Sequence, residues 1–354
     1  QAGVVISASH NPHDDNGVKF FGPDGTKLSD EVELQIERLL EQQMECVAPE
    51  HLGRARRIDD AQGRYIEFCK GSFPTAQTLA GLKLALDCAN GAAYKTAPAV
   101  FAELGAEVTV VGNQPDGLNI NRNCGSTHLG LLKAAVRDSK ADVGIALDGD
   151  ADRCLMVDGN GEIIDGDQIL FIIARQRLQS GQLKGPVVGT LMSNLGLEKA
   201  LQGLGAEFRR AQVGDRHVLE MLRSSGGILG GETSGHTICL DRCATGDGTV
   251  TALQVLATMT AEGRSLAELA SGITKFPQML INVRIGGGAK PLLEQAGLKA
   301  EVTSVEEELG TRGRVLLRAS GTEPLIRVMV EADDDALTRK MAERLADKVR
   351  KVAA

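Results

Sequence analysis

Leu82-Lys83-Leu84-Ala85-Leu86-Asp87-Cys88 is followed by the stretch Ala92 to Leu104 and then by Glu107-Val108-Thr109-Val110-Val111. Short apolar or β-branched runs flanking a segment of helical length read as strand, helix, strand, the signature of a βαβ unit in a largely parallel sheet. Downstream the pattern recurs: a helix from Leu129 to Ser139, then a strand from Val143 to Leu147. A second block repeats it with helices Gln168 to Leu178, Leu195 to Leu204 and His217 to Arg223, strands Pro186 to Met192, Phe208 to Val213 and Ile228 to Gly231, and a closing helix Gly248 to Glu262. The two blocks, of about 100 residues each, read as duplicated α/β domains.

After Lys275-Phe276-Pro277 the character changes to strands Ile281 to Ile285, Arg314 to Leu317 and Ile326 to Glu331, with a helical stretch near Pro291 to Ala296. A final helix starts after Asp333-Asp334-Asp335 and ends in Lys348, Arg350 and Lys351, charges that suit the two dipole ends. This is a smaller α+β unit. Upstream, a helix from Asp30 to Gln43 belongs to what remains of a further domain. The chain opens with Gln1 instead of Met and runs at once into Val4 to Ile6, so the first domain reads as truncated at its N-terminal side. The expected organisation is α/β and multi-domain: three related mixed α/β domains, at 1–62, 63–160 and 161–274, and a smaller α+β domain at 275–354.

A length of 354 residues suits two to four such domains. The balance of 39 basic and 47 acidic residues, a net −8, argues against a nucleic-acid polyanion as partner. The absence of Trp, with only 2 Tyr and 8 Phe, disfavours stacking platforms for single strands. Glycine, at 42 residues, is in surplus and suggests many tight functional loops. Seven scattered cysteines form no C-x-x-C pair and fit a reduced cytoplasm. No apolar run approaches a membrane span.

Four loops carry chemistry. Ile6-Ser7-Ala8-Ser9-His10-Asn11-Pro12 presents hydroxyls and an imidazole between a short strand and a proline-bounded loop. A Ser/Asn turn closing the strand is the plain alternative, and G-x-S-x-G, the mark of a serine hydrolase, occurs nowhere. Leu147-Asp148-Gly149-Asp150-Ala151-Asp152-Arg153 spaces carboxylates at i, i+2 and i+4 after an apolar strand. Such oxygens suit a hard cation, whereas a solvated acidic turn would leave three close charges repelling one another. An EF-hand is excluded, since Arg153 and Gly159 stand where Gly and Glu are required. Gly230-Gly231-Glu232-Thr233-Ser234-Gly235-His236 offers groups that bind sugar hydroxyls, although His236 also reads as a structural histidine. Arg318-Ala319-Ser320-Gly321-Thr322-Glu323-Pro324, with Arg327 beyond, reads as a phosphate cradle or as a turn with surface arginines. Neither a Walker A sequence nor G-x-G-x-x-G is present, so nucleotide binding has no support.

Together, and in this order, the four motifs resemble the α-D-phosphohexomutase superfamily over the whole chain. Ile6 to Ser9, Gly117 to Asn121 with Cys124 to His128, and Val213-Gly214-Asp215-Arg216 are more similar to its glucosamine branch than to the mannose or glucose branches. The resemblance implies that Ser9 carries the transferred phosphoryl group, that Asp148, Asp150 and Asp152 hold Mg²⁺ with the Ser9 phosphate, and that His10, Lys19 and Arg153 neutralise charge or exchange a proton. It implies sugar contacts from Glu232 and Ser234, a general base in His236, and a grip on the non-reacting phosphate by Arg318, Ser320, Gly321, Thr322 and Arg327. The implied reaction interconverts glucosamine 6-phosphate and glucosamine 1-phosphate through a 1,6-bisphosphate that also serves as activator, and would feed UDP-N-acetylglucosamine and cell-wall synthesis. Its partners would be small phosphosugars, with a possible homodimer and no nucleic acid or membrane; the truncated chain itself would be inactive or disordered near Ser9. Other readings are a mannose or glucose phosphate mutase of the same superfamily and a non-catalytic metal or phosphosugar sensor, which leaves Ser9-His10 unexplained.

Overall fold

The structure, a computed structural model, describes residues 2–23, 25–286, 289–320 and 323–353. Near the N-terminus β1 (Gly3–Ser7) and β2 (Gly17–Phe21) pair antiparallel, with Val5 opposite Lys19. Val4, Val5 and Ile6 remain exposed on this two-stranded ribbon. The following helix is Asp30–Leu40, a little shorter than its pattern suggested.

The next unit has a five-stranded sheet of β3 (Lys83–Asp87), β4 (Glu107–Val111), β5 (Val143–Leu147), β6 (Cys154–Asp158) and β7 (Ile163–Ile164), in the order β4-β3-β5-β6-β7. Its β4, β3 and β5 run parallel, while β6 and β7 return antiparallel. The third unit repeats the plan with β8 (Val187–Thr190), β9 (Phe208–Ala211), β10 (Leu229–Gly231) and β11 (Thr237–Cys239), ordered β11-β10-β8-β9 with β11 antiparallel. The largely parallel sheets that the alternation predicts are thus mixed. In each, a strand doubles back directly after a functional loop, and that tight return places two loop ends together.

One predicted helix divides. Ala92–Tyr94 is a 3₁₀ turn and the α-helix runs from Thr96 to Glu103. Ala92 N–H is drawn away from the helix to donate to Gly149 O in the acidic loop (2.8 Å). The helices Gly166–Gln179 and Gly248–Glu262 are buried on nearly every face. They sit in one continuous core with Leu84, Leu86, Ile145 and Met156 of the preceding unit, so two sheets share one apolar interior.

The last unit has a three-stranded antiparallel sheet of β12 (Gln278–Arg284), β13 (Gly313–Ala319) and β14 (Leu325–Ala332), ordered β12-β14-β13. Helices Ala296–Leu309 and Asp335–Ala353 cover it with a separate core around Val305, Ile326, Val328, Met341 and Leu345. No helix among the described residues is long and apolar enough to cross a membrane.

Candidate functional site: an acidic loop, a serine loop and a histidine loop

The acidic loop leaves β5 and returns as β6 within six residues. Its first carboxylate, Asp148, is fully buried, and Ala151 adopts a left-handed φ of 61° that an L side chain takes only under constraint. Asp148 Oδ2, Asp150 Oδ1 and Asp152 Oδ1 are buried and have no hydrogen-bond partner. One oxygen from each aspartate lies within 4.8 Å of the others. An octahedral cation with bonds of about 2.1 Å holds its ligand oxygens about 3 to 4.2 Å apart, so the donor set fits a divalent metal. Without one, burial and then the charges of Asp152 and Asp150 push the Asp148 carboxyl up to about 8. Burial also opposes the charge on Asp150, but hydrogen bonds from Lys19 and Ser7 outweigh it and hold that carboxyl below its ordinary value.

The serine loop is fastened to this turn. Gly149 N donates to Ser9 O (3.0 Å), and Asn121 Nδ2 donates to both Ser9 O and Asn11 O (2.8 Å each). A Cβ at position 149 would lie 2.4 Å from Ser9 O, so only glycine permits this approach. Ser9 is half-buried with φ 51°, again left-handed. Its Oγ lies 3.2 Å from His10 Nδ1, while Ser7 Oγ accepts from Ser9 N (2.9 Å) and donates to Asp150 (2.6 Å). Burial, reinforced by nearby Arg153, holds the His10 imidazole below its usual range and therefore neutral. Lys19 stands on β2, outside this loop, and bonds Asp150 at 2.6 Å. Burial works against its charge, yet the bond and charge of Asp150 keep the ammonium firmly protonated.

The Gly230–His236 loop closes the third side. Cys154 N donates to Gly235 O (3.0 Å), and Arg153 and His236 form a β-bridge. His236 is buried with Nε2 3.9 Å from both Asp152 and Asp215, leaving Nδ1 without a hydrogen-bond partner. Its ring rests on Gly246, where a Cβ would lie 2.4 Å away. Glu232 is half-buried and accepts from Gly214 N (3.0 Å), whereas Ser234 is exposed. Arg153 N donates to Asp148 Oδ1 (3.1 Å), and its Nε lies 3.9 Å from Asp148 Oδ2.

The fourth loop stands apart. Arg318 and Arg327 face each other in cross-strand register on β13 and β14, each with a buried Nε lacking a hydrogen-bond partner. Burial and then the charge of Arg327 lower the Arg318 guanidinium from its ordinary value, so the pair is poised for an anion. Ser320 Oγ accepts from Glu323 N (3.3 Å), while Gly321 and Thr322 lie outside the described residues. Among the described residues, no hydrogen bond or ion pair joins Arg318, Ser320 or Arg327 to the other three loops.

Several site residues carried no role in the sequence reading. Ser7 stood in the serine loop as one of its hydroxyls and Asn121 in a stretch noted only for its likeness to one branch, and nothing local marks either as a fastener. Lys27, which bonds Asp215 at 2.7 Å, has no sequence signal at all.

All four domains of the phosphoglucomutase/phosphomannomutase family match the chain: α/β/α domain I at residues 1–46, II at 63–161, III at 165–276 and the C-terminal domain at 280–348. The phosphoglucosamine mutase of Aeromonas hydrophila is 59% identical over 349 residues, spanning 99% of this chain and 78% of that protein. In fold, the chain is similar to the N-acetylphosphoglucosamine mutase of Aspergillus fumigatus in complex with GlcNAc-6P and magnesium (TM-score 0.81, 22% identity, 100% of this chain and 89% of that one). It is equally close to a phosphoglucomutase/phosphomannomutase family protein of Burkholderia thailandensis (TM-score 0.82, 24% identity, 99% and 76%). With near-complete coverage at that identity and every domain matched in order, the chain belongs to the phosphoglucosamine mutases of the phosphohexomutase superfamily.

Proposed function

We propose that this family member interconverts glucosamine 6-phosphate and glucosamine 1-phosphate with Ser9 as the phosphoryl carrier. The carrying observation is the convergence of three unpartnered aspartate oxygens in the loop that also anchors the Ser9 backbone. In the first half reaction the bond between Ser9 Oγ and phosphorus breaks as a sugar hydroxyl oxygen takes the phosphoryl group. The resulting 1,6-bisphosphate turns round, and its other phosphoryl group returns to Ser9 Oγ. A free sugar 1,6-bisphosphate would recharge Ser9 by the same exchange and so act as activator.

Mg²⁺ held by Asp148, Asp150 and Asp152 would neutralise charge on the phosphoryl oxygens during transfer. Lys19 and Arg153 add fixed positive charge on either side of the carboxylates. His236, open at Nδ1, or His10, beside Ser9 Oγ, takes the proton that the attacking hydroxyl releases. Glu232 and Ser234 orient the sugar through its hydroxyls. The phosphate not undergoing transfer sits against Arg318 and Arg327, with Ser320 and the neighbouring Gly321 and Thr322. Support for magnesium comes from the all-oxygen donor set and from the magnesium in the Aspergillus fumigatus complex.

Turnover of glucosamine 6-phosphate, followed with Mg²⁺ and a sugar 1,6-bisphosphate and set beside the mannose and glucose 6-phosphates, tests the reading. The phosphate on the Ser9 peptide should appear in the intact mass, and Ser9→Ala should remove both the phosphate and the turnover. Binding without turnover would leave a sensor, and preference for mannose 6-phosphate would move the chain to another branch.

A further inference from the structure

A cavity of about 240 Å³ lies at the seam between the second and third units, away from the four reaction loops. Its lining joins the Phe73–Gln77 segment, the C-terminal end of helix Gly166–Gln179 and the inner face of helix Gly248–Glu262. Arg177 stands about ten residues along its helix from Asp167, roughly 15 Å by helical rise, so the cavity is not an extension of the Gly230–His236 loop.

The chemistry of the lining is unusual for a seam between apolar cores. Arg177 is 3% exposed, and its terminal nitrogens, within reach of Asp241 and of the Cys239 thiol, make no well-aligned hydrogen bond to an oxygen acceptor. Its Nη1 lies 2.8 Å from Asp241 Oδ1 without the alignment that a hydrogen bond needs. Asp241 also pairs with Arg242 at the rim (3.3 Å), so two guanidiniums share one carboxylate, a net charge of 2 − 1 = +1. Four amides, from Gln77, Gln176, Gln182 and Gln254, complete the polar wall. Gln77 Oε1 is already taken by Thr260 (2.7 Å), and its amide nitrogen has no partner among the described residues. A buried guanidinium with unmet donors is costly unless an acceptor reaches it.

We propose that this seam is a binding site for a small tetrahedral oxyanion, the phosphate group of a metabolite or free phosphate, gripped between Arg177 and Arg242. Donors approach from the helix below, the rim and the amide wall, so acceptor oxygens are needed on several sides. A tetrahedral anion supplies four, and a planar carboxylate two. The surplus single charge selects an anion over a neutral polyol. Because the lining comes from both units, an occupant would hold the two sheets in one relative position.

The proposal is tested on the protein with its reaction-phosphate loop disabled by Arg318→Ala and Arg327→Ala. Inorganic phosphate at one hundred times its dissociation constant should raise the unfolding temperature of this variant by on the order of 3 °C. Adding Gln176→Glu, which places a negative charge in the wall and leaves Arg177 and Asp241 paired, should abolish the rise while leaving the phosphate-free unfolding temperature equal or higher, since the new carboxylate supplies the missing acceptor. Glucosamine phosphate turnover by Gln176→Glu alone should equal wild type at low phosphate. Selenate soaked into crystals should give an anomalous peak between Arg177 and Arg242, and acetate should not displace it. A rise that survives Gln176→Glu, or a cavity filled by water alone with selenate confined to the Arg318–Arg327 pair, would overturn it.

Discussion

The acidic loop and the phosphate loop are built in opposite ways. Asp148 to Arg153 is rooted in the core shared by two units, with its carboxylates fixed by Ser7, Lys19 and the backbone before any cation arrives. Arg318 to Pro324 belongs to a unit with its own core, and that unit meets the rest through a small polar knot. At its centre is Glu331, which is fully buried, accepts from Arg314 Nε (2.5 Å) and Leu195 N (3.2 Å), and is reached by Asn194 Nδ2 (3.3 Å). Asn194 in turn bonds Phe276 through both ends of its amide. On the reading proposed above, the electrostatics of transfer are thus held rigid, while the arginine pair assigned to the idle phosphate stands on a unit with its own core.

The sharpest way to break this contrast is through the knot. Glu331→Ala would leave Arg314 buried without its counter-charge, which typically costs about 3 to 5 kcal/mol, whereas nearby Arg210 keeps its pair with Glu198. Calorimetry should show the last unit melting ahead of the rest, with the shared core unaffected. A single transition at the wild-type temperature would mean that the junction is not a separate point of weakness.

Asp150→Ala attacks the rigid side. Removing one electrostatic contact of this kind costs about 3 to 4 kcal/mol in the transition state, roughly 100- to 1,000-fold in kcat. The rise in unfolding temperature on adding Mg²⁺ should vanish with it, while KM for the phosphosugar changes little. If KM moves and kcat does not, the two loops do not divide the labour as their construction suggests.

Asp167 ties the Gly230–His236 loop to the polar knot, since its Oδ2 accepts from Thr233 (2.9 Å) and from Asn194 N (2.8 Å). Burial, and then the charge of Asp165, raise its carboxyl from 3.8 to about 6. The folded state therefore binds this proton more tightly than the unfolded one. That stabilisation is complete below the unfolded value and is lost as pH rises through about 6, a change of about 3 kcal/mol at most. Asp167→Asn should flatten stability between pH 4 and pH 6 and exceed wild type at pH 7; parallel curves for the two proteins would remove Asp167 as the cause.

What the sequence disclosed follows the same division. Strand Val143–Leu147 was legible because a buried strand is a short apolar run, the edge strand Glu107–Val111 because β-branched residues dominate it, and the acidic loop because three carboxylates in five residues have few other uses. Helix Ala296–Leu309 was missed although Leu298, Val302, Val305 and Leu309 recur at helical spacing, a signal that was present and was cut short at Ala296. Helix Ala61–Gly71 was missed for a better reason: with Gly63 and Gly71 in it and only Cys69 buried, tertiary contact and not pattern makes it helical. Ser7, Asn121 and Lys27 act across 143, 112 and 188 residues of sequence, and such pairings have no local trace.

Arg327→Ala makes the smallest change and the most specific one. Arg318 and Arg327 stand side by side in register with unpartnered nitrogens, so their mutual repulsion is relieved only when an anion binds. Loss of one charge-assisted contact to a phosphate costs about 1.5 to 3 kcal/mol, which should raise KM for both glucosamine phosphates roughly 10- to 100-fold. The two substrates present opposite ends to the transfer site yet must leave one phosphate in the same cradle, so their KM values should rise by the same factor. The variant also loses the repulsion between the two guanidiniums, so its unfolding temperature should be unchanged or slightly higher without phosphate. A defect in kcat alone, or in KM for only one of the two substrates, would show that the cradle takes part in transfer and does not simply hold the idle end.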